Sequence, residues 1–74
     1  MDKQDDDELA ALRREVANLR AEATAAQAVR QHALVQGDHT GRREATALHL
    51  ALSRRILALN RRIIAIVSKR MTER

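Results

Sequence analysis

The chain has 74 residues, contains no cysteine and no aromatic residue, and carries a formal net charge of +4. These absences exclude disulfides, thiolate metal sites, base-stacking platforms and aromatic membrane anchors. A core of this size supplies only about 3–5 kcal/mol without reinforcement, so we expect a single domain, residues 1–74, that associates with other chains.

The first eight residues form an acidic segment with five acids and one lysine. A secretory signal would begin with basic residues and continue with an apolar run. Asp5, followed three residues later by Glu8, predicts a helix N-cap, and acids suit the positive end of the helix dipole. The most apolar stretch, residues 63–67, is far shorter than the roughly 20 residues that cross a bilayer. We therefore expect a soluble, cytoplasmic protein.

The first predicted helix spans about residues 6–36 and has a heptad pattern, abcdefg, in which positions a and d form the packing seam. The seam positions hold Leu9, Leu12, Val16, Leu19, Ala23 and Ala26. The flanking g positions hold Glu8, Glu15 and Glu22. Arg30 falls at an a position, where an apolar residue is expected. Either Arg30 turns to solvent, or the apolar face rotates there, as Val29, Leu34 and Val35 suggest.

A turn is predicted at residues 37–41, where two glycines enclose Asp38 and Thr40. Gly37 fits the left-handed position that closes a helix. Asp38 or Thr40 can cap the helix that follows, because both side chains accept hydrogen bonds from free backbone N–H groups.

The second predicted helix spans about residues 41–72 and has a heptad pattern of its own. Its seam holds Ala45, His49, Leu52, Ile56, Leu59, Ile63, Ile66 and Arg70. Its g positions hold Arg55, Arg62 and Lys69. Folding the chain back at the turn places the two seams together, with Val16 opposite Leu59 and Ala23 opposite Leu52. The same register predicts three ion pairs: Glu8–Lys69, Glu15–Arg62 and Glu22–Arg55.

The expected fold is therefore all-α: an antiparallel, coiled-coil-like two-helix hairpin. A parallel dimer of the first helix is the rival arrangement, because Glu8 and Glu15 would then meet arginines of the second copy. We prefer the hairpin since its loop length is normal for antiparallel neighbours and since it accounts for both helices. A four-helix bundle would satisfy both sets of charges in part.

The second helix is apolar over an arc of about 160°, wider than one partner helix covers. The excess residues predict an interface: Leu50, Leu57, Ile64, Val67 and Met71. A homodimer that forms a four-helix bundle would cover them, as would an amphipathic helix of another protein. The pattern resembles small dimeric helical-hairpin regulators of the repressor-of-primer type, which bind RNA. The resemblance is in architecture, and no motif is shared.

The leading expectation for function is a non-enzymatic interaction module, a small homodimeric regulator or assembly factor. Nucleic-acid binding is the alternative, through a basic face on the second helix: Arg54, Arg55, Arg61, Arg62, Lys69 and Arg70. The simpler interpretation of that face is a solvated surface whose g members pair with glutamates. A third possibility, binding to an anionic membrane surface, has less support because Trp and Phe anchors are missing.

No catalytic constellation, phosphate-binding loop or cofactor motif is visible in the sequence. The histidines, His32, His39 and His49, do not have the spacing of four that ligands on one helix face need. We expect no metal site, a half-buried His49 at its seam position, and exposed histidines at the other two positions.

Overall fold

The computed structural model describes residues 3–73, which form two α-helices joined by a short turn. Helix α1 spans Lys3–Gln36 and α2 spans His39–Thr72, each with 34 residues. The two helices pack against each other along a body of 56 × 16 × 12 Å. The predicted all-α two-helix hairpin is confirmed.

The turn consists of Gly37 and Asp38, and its hydrogen bonds close both helix ends. Gly37 has a φ of +71°, in the left-handed region. Its N–H donates to the carbonyl of Leu34 (3.2 Å), and the Asp38 N–H donates to the carbonyl of Ala33 (2.8 Å). These two bonds satisfy carbonyls that the end of a helix leaves without partners. The predicted role of Gly37 is confirmed.

Asp38 caps α2, and its position makes the turn shorter than predicted. Its carboxylate accepts a hydrogen bond from the Gly41 N–H (2.9 Å). The helix therefore begins at His39, not near residue 41, and Thr40 lies inside the helix. Gly41 lies in the first turn of α2. A Cβ at this position would collide with the Asp38 carboxylate, so glycine leaves room for the capping side chain.

Helix α1 also begins earlier than predicted, at Lys3, not near residue 6. Asp5 is therefore not the N-cap: it lies with Asp6 in the first turn of the helix. The favourable interaction of these acids with the helix dipole does not depend on the cap, since it acts throughout the first turn. Residues 1, 2 and 74 lie outside the described part of the chain.

The Gly37→Ala variant tests the left-handed turn. We expect it to lower the free energy of unfolding by about 1 kcal/mol, because a Cβ disfavours this backbone conformation. A clash with neighbours would not contribute, since no other side chain or backbone atom lies within 4 Å of the place that the alanine Cβ would occupy. Urea denaturation of both proteins measures the difference. Gln36→Ala, one residue earlier in the exposed end of α1, is the control, and equal stability of the two variants would contradict the turn geometry.

The core lies in the seam between the helices and follows the predicted a and d positions. The buried residues are Leu9, Val16, Ala23, Ala26 and Ala33 of α1 and Ala45, Leu52, Leu59 and Ile66 of α2. Leu19 and Ile56 are partly buried and pack against the cluster of Ala23, Ala26 and Leu52. No described side chain is completely buried, so the core of a single chain is thin.

The heptad of α1 continues to the turn. Ala33, at the last d position, is buried, whereas Val29, Leu34 and Val35 are exposed. The apolar face therefore does not rotate near Arg30, and that alternative is wrong. Arg30 instead keeps its seam position and is half-buried.

Candidate interaction surfaces

One side of the seam, here called the paired side, carries ion pairs between the helices. Arg62 donates two hydrogen bonds to the carboxylate of Glu8, each 2.9 Å long. Arg55 donates one to Glu15 at 3.1 Å. The hydrogen bonds from Arg62 lower the pKa of Glu8, and Glu8 in turn raises the pKa of Arg62. Both pairs are largely exposed, so their main effect is on helix orientation and register, not on stability.

The partners in these pairs differ from those predicted. Glu8 pairs with Arg62, not Lys69, and Glu15 pairs with Arg55, not Arg62. Each glutamate therefore meets the base one heptad closer to the turn. Successive g residues of α2 are about 10.5 Å apart along the helix, and a glutamate of α1 lies between two of them. The apolar layers position the helices but do not determine which of the two bases a flexible side chain reaches.

A line of exposed apolar side chains runs along α2 and is here called the apolar ridge: Leu50, Leu57, Ile64 and Met71. These side chains are between 49% and 72% exposed. Because they recur every seven residues, they follow one line about 32 Å long. Val67, which was predicted to belong to the same interface, is half-buried beside the ridge. A continuous exposed apolar patch is uncommon on a monomeric protein.

A second apolar patch lies on the paired side near the turn. Ala25 and Val29 of α1 face Leu48 of α2 across a cavity of about 520 Å³. The heptad pattern did not predict this patch. The g positions of the two heptads could have revealed it, because they hold charged residues over most of both helices but hold Val29 and Leu48 near the turn. Glu22 and Glu44 also line this cavity, so the patch has an acidic border.

The opposite side of the seam has three concavities that are lined only by basic and neutral residues. Arg13 and Arg20 line a concavity of about 290 Å³ near the open end of the hairpin. The middle concavity, of about 590 Å³, is lined by Arg20, Gln27 and His49, among others. A third, near the turn, holds three arginines. No Asp or Glu lines any of the three, so the two sides of the hairpin differ in charge.

The basic face predicted on α2 is divided by the fold. Arg55, Arg62 and Arg70 form ion pairs with Glu15, Glu8 and Asp6, respectively. Arg54, Arg61 and Lys69 are exposed, and none of them forms an ion pair within residues 3–73. Half of the face is therefore neutralised by α1.

The histidines are arranged as predicted, with His49 half-buried and both His32 and His39 exposed. Within residues 3–73, no cluster of three or more His, Asp or Glu side chains could hold a metal ion. Neither described helix has a stretch sufficiently long and apolar to cross a membrane. No protein-family model, no curated protein and no solved structure matches this chain.

Proposed function

We propose that this protein is a non-enzymatic protein–protein interaction module, a small homodimeric helical hairpin that acts as a regulator or an assembly factor. The observation that carries the proposal is the apolar ridge, which the chain's own helices leave in water. Burying apolar surface is favourable by about 25 cal/mol per Å². Because the core of a single chain is thin, burying the ridge against another molecule would add stability that the core does not supply.

A second copy of the chain is the simplest partner that would bury the ridge. If α2 packs antiparallel to α2 of the partner about a twofold axis, one patch covers itself and the assembly closes. If the axis passes between Leu57 and Ile64, Leu57 of each copy meets Ile64 of the other in the centre. Leu50 of each copy meets Met71 of the other at the two ends. The four helices then form a bundle with a second apolar layer.

The arginines beside the ridge make the proposed dimer sensitive to salt. Arg54 and Arg61 flank the ridge, and in the twofold arrangement Arg61 lies beside the axis and faces Arg61 of the second copy. Like charges at this distance repel, and salt screens the repulsion with a Debye length of about 10 Å at 0.1 M. The dimer should therefore tighten as salt is added. A partner with acidic flanks would show the opposite dependence.

Sedimentation equilibrium at micromolar concentration tests the proposal. We expect twice the mass of the chain and a dissociation constant that falls between low and moderate salt. Far-UV circular dichroism on the same samples shows whether the protein is helical. A helical monomer throughout the micromolar range would contradict the homodimer and leave the ridge to a different protein.

A second candidate function is nucleic-acid binding, which the unpaired arginines of the basic face on α2 favour. Arg54 and Arg61 are exposed, lack acidic partners and recur at heptad spacing. Phosphate contacts by such residues give affinity that falls steeply with salt. The ridge fits this function less well, since apolar side chains gain nothing from a phosphate backbone. Absence of duplex binding at low salt would remove this candidate.

A further inference from the structure

Three arginines from both helices line one concavity next to the turn. Arg30 comes from α1, and Arg42 and Arg43 come from α2. The concavity has a volume of about 410 Å³, and Thr46, Ala47 and Leu50 complete its lining. Arginines from both helices thus line the same opening.

Arg30 and Arg42 occupy seam positions, where apolar residues would stabilise the hairpin. Both are a positions of their helices, and both side chains are half-buried. The adjacent d positions are Ala33 and Ala45, small buried residues that leave room beside them. Placing two cations together in a partly desolvated seam costs stability. Residues that break the local pattern in this way are typical of functional sites.

Within residues 3–73, no protein group neutralises these three arginines. They form no ion pair and their guanidinium groups donate no hydrogen bond to the described residues. The carboxylate of Asp38 is nearby in sequence, but it accepts from the Gly41 N–H. Glu44 lines the cavity on the paired side instead.

At the open end of the hairpin, by contrast, a seam arginine has an acidic partner. Arg70 also occupies an a position and is half-buried, and there α1 supplies Asp6 as its partner. The fold therefore provides an acid for the seam arginine at one end. At the turn end, three arginines line one concavity, and no acid lines it with them.

We propose that the concavity formed by Arg30, Arg42 and Arg43 binds a small molecule that carries one phosphate group or two adjacent ones. Guanidinium groups bind phosphate oxygens through paired, charge-assisted hydrogen bonds, and several arginines around one opening match the charge of a pyrophosphate group. The volume lies within the range of small-molecule sites, roughly 300–1,000 Å³. Leu50 belongs both to this lining and to the end of the apolar ridge, so the site adjoins the proposed dimer interface.

Isothermal titration calorimetry with pyrophosphate, orthophosphate and ADP, at constant ionic strength set with chloride, tests the site. We expect pyrophosphate to bind more tightly than orthophosphate. Equal affinity for pyrophosphate and ADP would indicate that only the phosphates are recognised, whereas tighter binding of ADP would indicate a nucleotide ligand. Absence of heat from all three at millimolar ligand would overturn the proposal, as would binding of a single-stranded oligonucleotide alone.

The Arg30→Leu variant distinguishes binding in this concavity from general electrostatic attraction of an anion to a basic protein. We expect pyrophosphate affinity to fall about tenfold or more, because charge-assisted hydrogen bonds are lost. The ligand-free variant should melt at a higher temperature than the original protein, since leucine suits the seam position. Arg20→Leu, on the same side but outside this concavity, is the control and should retain the affinity.

Unchanged affinity in Arg30→Leu, or an equal loss in Arg20→Leu, would overturn the site. If Arg30→Leu does not fold, as judged by circular dichroism, Arg42→Gln provides the same comparison without changing the apolar content of α1. Retained pyrophosphate affinity in folded Arg42→Gln would likewise overturn the proposal.

Discussion

The Leu59→Ala variant should lose about 2–4 kcal/mol of unfolding free energy, which is most of the stability expected for a chain of this size. Leu59 is buried in the middle of the seam, with 7% of its surface exposed. Its truncation removes apolar contacts and leaves a cavity that two straight helices cannot easily close. The expected loss is comparable with the whole stability of a domain of this size, about 3–5 kcal/mol. Urea denaturation followed by far-UV circular dichroism measures the loss.

Leu34→Ala is the matched control for this experiment. Leu34 is the same residue type in the same kind of structure, but it is 53% exposed and lies outside both the core and the apolar ridge. We expect its truncation to cost less than about 1 kcal/mol. If the two variants lost stability equally, the seam would not be the source of the fold's stability, and the hairpin register would be wrong.

The Leu57→Glu variant should break the proposed homodimer. Leu57 lies near the centre of the apolar ridge, and a twofold interface would place both introduced carboxylates among apolar side chains. Burying an unpaired charge is strongly unfavourable, and central apolar residues carry a large share of interface energy. We expect the dissociation constant to rise about 30-fold or more, and sedimentation equilibrium measures this change.

Ala58→Glu is a close control, because it introduces the same charge one residue later on the exposed face of α2. In both variants the new glutamate lies three or four residues from Arg54 and Arg61, so intrahelical ion pairs support the helix equally. The dimer should persist in Ala58→Glu. An unchanged mass and melting temperature for Leu57→Glu would show that the ridge is not the interface.

The hairpin could be predicted because its determinants are local and periodic. Apolar residues recur at heptad spacing along most of both helices, and the two glycines separate the two series. Gly37 is required for the left-handed turn, and the buried residues Val16, Leu52 and Leu59 are those that the pattern placed in the seam. The helix boundaries were less accurate by two or three residues, because Asp38 and Thr40 were both eligible caps and one hydrogen bond decides between them.

The pairing of charges could not be predicted in the same way. Glu8 and Glu15 each lie between two bases of α2, and heptad spacing makes the two choices equivalent in sequence. The rotamers of long side chains and the axial position of the helices decide which base is reached. The turn-end patch of Val29 and Leu48 was missed for a related reason, since each residue alone is an ordinary flanking position and only their proximity across the seam creates the cavity.

Local signals in the sequence specify the two helices, the turn and the positions that face the seam, because periodicity and backbone preference act within a few residues. Contacts between the two helices select which arginines have an acidic partner and which have none. That difference depends on distances of a few ångströms between side chains about 40 to 60 residues apart in the chain. Arg62 is paired with Glu8, whereas Arg30 and Arg42 line one concavity and form no ion pair within residues 3–73, and this unpaired charge is where we expect a ligand.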